Sequence, residues 1–232
     1  MGWSMDTVGM QVLLSVAAVL YAAGVVWFTR WTYGKMRGRG CAHHVAVYYN
    51  RKIVHMAAGG VVALAVPYLF VSPVYPLAIG LALTAFTLIP YLTGRRLEWL
   101  QTAENRNDVK FTLMWGLAIF ALWLLLDDPF LAILPPLFMA FGDGVTGVVR
   151  NALFKRRTKS PVGNLFMVAV CIPLGLWLAG EAAVPIPWWG AIAGVVGSVI
   201  ERFEFGPIDD NILITVAASA VLLIGATVGP LF

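Results

Sequence analysis

Eight runs of apolar residues, each bounded by charge or proline, leave this chain little choice of solvent. A helix needs about 20 mainly apolar residues to cross the hydrocarbon layer of a bilayer. Inside that layer every backbone amide must be satisfied within its own segment, which selects helices for runs of this kind. The pattern predicts spanning helices over residues 8–29, 53–71, 74–92, 110–126, 129–149, 164–180, 187–200 and 211–230, the seventh being short. Breakers mark the joints: Pro73 and Pro76, Pro129 after Asp127 and Asp128, and Pro185 with Pro187. Composition agrees, since 60% of the residues are hydrophobic and 12% charged, where soluble domains carry about a quarter charged. The expected fold is an all-α polytopic transmembrane helical bundle, a single integral membrane domain over 1–232.

Charge gives the orientation. All 16 Lys and Arg residues fall in the loops after helices one, three, five and seven, or at their edges. The even loops and the termini hold only Asp6, Asp127, Asp128 and Glu181. Basic loops are cytoplasmic, so both termini are expected outside. The net charge of +4 then reports membrane orientation and calls for no nucleic acid. The first run has no Lys or Arg before it and Arg30 after it, the reverse of a secretory signal, and is expected to be retained. Cys41 lies in a basic loop and Cys171 in an apolar run, so no disulfide is expected between them. No Cys/His cluster has metal-site spacing.

Orientation alone leaves unexplained why Glu98, Glu104, Asp108, Glu201, Glu204, Asp209 and Asp210 share the basic loops. A site for metal and phosphate needs that mixture. Asp143 is the sole acidic residue within a predicted span. A charge there costs at least a few kcal/mol unless it meets a partner or a polar cavity. Helical spacing puts Asp143, Gly147, Arg150 and Asn151 near one face. Gly142, Gly144 and Gly147 spell G-x-G-x-x-G, but the flanks are transmembrane and a dinucleotide fold is excluded. There is no P-loop motif. The glycines instead suit a broken helix or close packing, with backbone amides free to meet an anion.

Three groups of residues can carry the chemistry. Asn50, Arg51, Lys52 and His55 open helix two, with Arg51 and His55 on one face as phosphate contacts. The dense cations from Arg150 to Asn164 follow helix five. Glu201, Arg202, Glu204, Asp209, Asp210 and Asn211 precede helix eight and offer hard oxygens of the kind Mg²⁺ prefers beside phosphates, although Asp209 or Asp210 also suits a helix N-cap.

In these groups the chain resembles the CTP-dependent polyprenol kinases, the family of dolichol and phytol kinases. Arg51-Lys-Ile-Val-His55 is similar to the family's Arg-Lys-x-x-His. Gly142-Asp-Gly144, followed by basic residues, Lys159-Ser160 and Gly163, is similar to its Gly-Asp-Gly … Lys-Ser-x-Glu-Gly run. Asp209-Asp-Asn211 resembles its Asp-Asn element, and the likeness spans roughly residues 50–225, taken as the catalytic part. The chain departs at Val162, where the family has Glu, so that role is expected to fall to a carboxylate of the last cytoplasmic loop.

The resemblance implies a membrane kinase that moves the terminal phosphate of CTP onto a polyprenol such as dolichol. The alternatives are a CTP-dependent lipid-phosphate cytidylyltransferase and a small-solute transporter. The implied catalytic residues are Asp143, His55 and Lys159. Arg51, Lys52, Gly142, Gly144, Ser160, Gly163 and Asn164 would bind nucleotide and phosphate, and Asp143, Asp209 and Asp210 would hold Mg²⁺. The implied partners are CTP, a polyprenol-type lipid and membrane lipids, and a homodimer is compatible. The implied location is a prokaryotic cell membrane, with the site on its cytoplasmic face.

Overall fold

The computed structural model describes residues 7–103, 105–156 and 158–231; Asp6, Glu104 and Arg157, counted above, fall outside them. Among the described residues the chain forms eight helical rods: α1 (Val8–Gly38), α2 (His43–Leu69), α3 (Val74–Leu92), α4 (Asn107–Leu126), α5 (Pro129–Phe154), α6 (Pro161–Gly180), α7 (Pro187–Ile200) and α8 (Asp210–Val228). Seven are long and apolar enough to cross a membrane, and α7 is a shorter apolar helix. The protein is an integral multi-pass membrane protein.

Two rods run further than the apolar pattern predicts. α1 continues to Gly38, and α2 begins at His43 rather than 53. The basic residues Arg30 to Lys52 therefore sit mostly on helix ends, and the connection is short. Polar contacts join the two ends. The Asn50 amide donates to the carbonyls of Thr29 and Trp99 at 2.7 and 2.8 Å, and the Thr32 hydroxyl donates to Asn50 Oδ1 at 2.6 Å. The Arg30 guanidinium lies 5.6 and 5.5 Å from the Trp27 and Trp99 ring centres.

α5 is the central rod. In its most apolar stretch 78% of the residues are buried, against 17% for α1, which faces lipid. α5 packs on α2, α4, α6, α7 and α8. α6 and α7 meet backbone to backbone: a Cβ on Gly175 would stand 2.8 Å from the Ala191 nitrogen. The Gly190/Gly194 pair thus serves helix packing, as G-x-x-x-G commonly does. Asp128 caps α5 by accepting from the Leu131 amide at 2.9 Å, and it also accepts from the Ala183 amide at 2.7 Å.

The odd-numbered connections gather at one end of the bundle. There Lys110 Nζ donates to the Pro207 carbonyl at 2.7 Å and Arg51 donates to Asn105 Oδ1 at 3.1 Å. α2 and α5 each contain a widened π-helical stretch, His55–Gly60 and Phe138–Gly142, and the two stretches pack together. In α5 the stretch follows Pro135 and Pro136, which lack the amides a regular turn would use. π turns of this kind are common at functional sites. Here they bring His55 and Asp143 to the same depth, below the basic end.

Candidate functional site

Asp143 begins the regular helix after the π turn of α5 and is 3% exposed. Its partner comes from α2: Lys52 Nζ lies 2.5 Å from Asp143 Oδ2. The lysine stem reaches it across Gly147, where a Cβ would lie 2.9 Å from Lys52 Cδ and closer still to Cε. Any larger residue at 147 would block this path. The Tyr48 ring centre lies 5.3 Å from the same ammonium. A pair this deep holds because each charge cancels the other's burial cost.

His55 lies one turn further along α2. It is 4% exposed and stacks on Phe111 with ring centres 3.8 Å apart and planes 12° from parallel. Its Nδ1 is 3.9 Å from Asp143 Oδ2, too far for a hydrogen bond, and neither ring nitrogen has a hydrogen-bond partner. A buried polar atom left unpaired costs about 1–3 kcal/mol. Both nitrogens are thus open to a ligand or water in the polar cavity that His55 lines.

The acidic cluster that forms is Asp143, Glu201 and Asp210, with one oxygen from each lying within 4.8 Å of the others. Asp209, expected in this cluster, lies outside it. It caps α8, accepting from the Ile212 amide at 3.3 Å, and faces Lys110 at 3.6 Å. Burial, reinforced by the neighbouring Asp210 charge, raises the Asp209 carboxyl above the usual range. Glu201 takes its place from the end of α7. No carboxylate stands at 162, whose valine is exposed.

Lys159 is the counter-ion of this cluster. Its ammonium is 2.7 Å from Asp210, 3.0 Å from Glu201 and 3.1 Å from Glu204. Burial alone would push its pKa down, but Asp210 and Glu201 outweigh it and hold the amine above its ordinary value, so it stays charged. Arg150 forks onto Glu201, the neighbour of Asp143 in the cluster, at 2.8 and 3.0 Å. It also donates to the Ser160 carbonyl and to Asn164 Oδ1, both at 2.9 Å. Ser160 and Asn164, expected at phosphate, thus serve as clamps on Arg150 in this conformation. Gly163 leaves room for that side chain, and a Cβ there would lie 2.7 Å from Thr146 Cγ2. Gly142 and Gly144 face side chains, with Cβ positions 2.5 Å from Cys171 Sγ and 2.6 Å from Met56 Cγ. Asn50 points at α1 instead of the site.

Two cavities meet here. A polar one of about 150 Å³ is lined by Lys52, His55, Asp143, Asn151, Arg156 and Asp210, among others. An apolar one of about 50 Å³ is lined mainly by Val62, Leu83, Phe86, Phe111 and Trp115. Arg51 and His55 stand on the wall of both.

The comparisons return no family model, no characterised protein and no solved structure.

Chemically, the polar cavity suits a phosphorylated ligand with a hard divalent cation. Clustered carboxylate oxygens are the ligands such a cation takes, and Asn211 Oδ1, buried and unpartnered, adds a neutral one. Lys52, Arg51 and Arg156 offer donors to phosphate oxygens. Motif reading gives no sign of Phe111, which stacks on His55. Glu201 did stand out as one of several carboxylates before α8, but nothing in the chain marks which of them reaches α5.

Proposed function

We propose that this protein is a membrane lipid-alcohol kinase that transfers the terminal phosphate of CTP to a polyprenol at the cytoplasmic face. One observation carries the reading: the unpaired imidazole of His55 stands on the wall shared by a charged cavity and an apolar one. A nucleotide is at home in the first, a lipid alcohol in the second, and the reacting oxygens must meet at their boundary. CTP as donor and polyprenol as acceptor class follow from the resemblance at Arg51–His55, Gly142–Gly144 and Asp209–Asn211.

Phosphoryl transfer depends on in-line positioning and charge neutralisation. The acceptor hydroxyl oxygen bonds to the terminal phosphorus, the bond from that phosphorus to the bridging oxygen breaks, and CDP leaves. His55, held flat against Phe111, hydrogen-bonds the hydroxyl and receives its proton. Lys52 and Arg51 hold phosphate oxygens. Asp143 and Asp210, with Glu201 beside them, are the residues that would hold Mg²⁺, which when bound neutralises charge on the phosphates. Lys159 is placed to exchange carboxylate for phosphate as nucleotide arrives, while Arg150 stays on Glu201.

The test is to supply purified protein with a polyprenol and CTP or ATP, and to identify the products. CDP with polyprenyl phosphate is expected. Pyrophosphate with a CDP-linked lipid made from polyprenyl phosphate would point to cytidylyl transfer, and no nucleotide turnover with any lipid would reject both.

A further inference from the structure

Apart from Arg51 and His55, the polar side chains on the walls of the apolar cavity are spent on the protein. Trp115 Nε1 donates to the Gly59 carbonyl at 3.0 Å, and the Thr87 and Thr112 hydroxyls donate to backbone carbonyls of their own helices. The Asp108 carboxylate accepts from Tyr91 at 2.9 Å and from Gln101 at 2.6 Å. Arg51 donates to Asn105 and also stands on the wall of the polar cavity, where its remaining donors serve phosphate in the proposed reaction. What remains is hydrocarbon from Ala58, Val62, Leu83, Phe111 and Trp115, together with the two unpartnered nitrogens of His55. Phe86, on the same wall, is 38% exposed on the outer surface of the bundle.

An occupant of this cavity must be apolar along its length and carry a hydrogen-bonding group at the His55 end. Sugars, nucleotides and free cations would leave buried polar groups unsatisfied there. We infer that this cavity, bounded by α1, α2, α3 and α4, is the acceptor subsite: it holds the hydroxyl-bearing end of a membrane alcohol, with the oxygen on His55 and the chain leaving past Phe86 into lipid. The inference rests on the kinase reading for its meaning, but it stands on separate residues. None of Ala58, Val62, Phe86 or Trp115 belongs to the polar cavity. Chain selection therefore resides in these four side chains, and nucleotide binding does not.

The experiment uses a photoreactive diazirine analogue of geranylgeraniol with the full-length protein in detergent, read by mass spectrometry of crosslinked peptides. Crosslinks are expected in the peptides bearing residues 58–62 and 111–115, competed by unlabelled geranylgeraniol. Val62→Phe fills the cavity and should lower that labelling about tenfold, while Mg·CTP binding by equilibrium dialysis stays within about twofold. Ala58→Leu fills it from another side and should behave alike. Should both variants fail to fold, the position of the wild-type crosslinks decides alone. Labelling confined to outer surfaces, or undiminished in folded variants, overturns the subsite. If the cavity is labelled but the alcohol is never phosphorylated, the subsite stands and the kinase reading falls. If the alcohol is phosphorylated while only outer surfaces are labelled, the kinase reading stands and the subsite falls.

Discussion

Replacing Lys52 with methionine should unfold this protein more easily, by an amount the Asp143 environment sets. Lys52 and Asp143 are both almost fully buried and lie 2.5 Å apart. Methionine keeps most of the stem that lies across Gly147 and removes the charge. Breaking a buried ion pair from one side costs about 3–5 kcal/mol, because the remaining charge is stranded. Asp143 would retain the polar cavity beside it and Lys159 on the far side of Asp210. The low end, about 3 kcal/mol, is therefore expected. Asp143→Asn should be milder, about 1 kcal/mol, since an amide oxygen still accepts from Lys52. The double variant should recover part of the loss, with a coupling energy of about 2 kcal/mol. Turnover should stay lost in all three, so that stability and activity separate. Unfolding by sodium dodecyl sulfate in mixed micelles gives the energies. A Lys52→Met protein within about 0.5 kcal/mol of wild type, or strictly additive effects in the double variant, would refute the reasoning.

Gly147→Ala places a methyl group on the pinned Lys52 stem; turnover should fall about 10²-fold with stability changed by about 1 kcal/mol, read by kinetics and thermal melts. Glu201→Gln removes the charge that Arg150 and Lys159 share and should cost about 3 kcal/mol or more, and limited proteolysis should then cut faster between α5 and α6. Asp209 has a raised folded pKa, so the folded state binds its proton more tightly than the unfolded one. Its contribution is fully present below the unfolded carboxyl value and is lost as pH rises through the folded one. Asp209→Asn keeps the cap of α8 and should raise the melting temperature at pH 7, with the gain shrinking as pH falls into the carboxylate range.

The passes and the gathering of charge at one end were legible because both rest on one-dimensional information: apolar length and the position of Lys and Arg. Asp143 was legible for the same reason, since a lone acid in an apolar run must have a partner or a wet cavity. Its partner was not. Lys52 stood out as one of several cations at the start of helix two, and only the notch at Gly147 selects it. Helical period correctly placed Arg51 and His55 on one face. It also grouped Arg150 with Asp143, and Arg150 reaches that cluster through Glu201, a partner that only the packing of α5 against α7 selects. The π turns shift helix rotation by a fraction of a turn; the proline pair and the glycines of α5 allow a break there but do not set how far it turns the helix. Asp209 and Asp210 are adjacent in sequence but serve different masters: one caps a helix, the other joins the acidic cluster. The extension of α1 and α2 escaped notice because it depends on Asn50 bonding across to Thr29 and Trp99.

Asp143 lines a polar pocket with Arg51, Lys52 and Arg156 on its walls, the place where we propose that a nucleotide's terminal phosphate is handed to a lipid hydroxyl. The most direct measurement follows label from the terminal phosphate of CTP into the lipid extract, with wild-type and Asp143→Asn protein in matched proteoliposomes. Label in polyprenyl phosphate with the wild type, and almost none with a variant that stays folded at the assay temperature, is the predicted result. Equal transfer by the two proteins, or label that never leaves the aqueous phase, would contradict the claim.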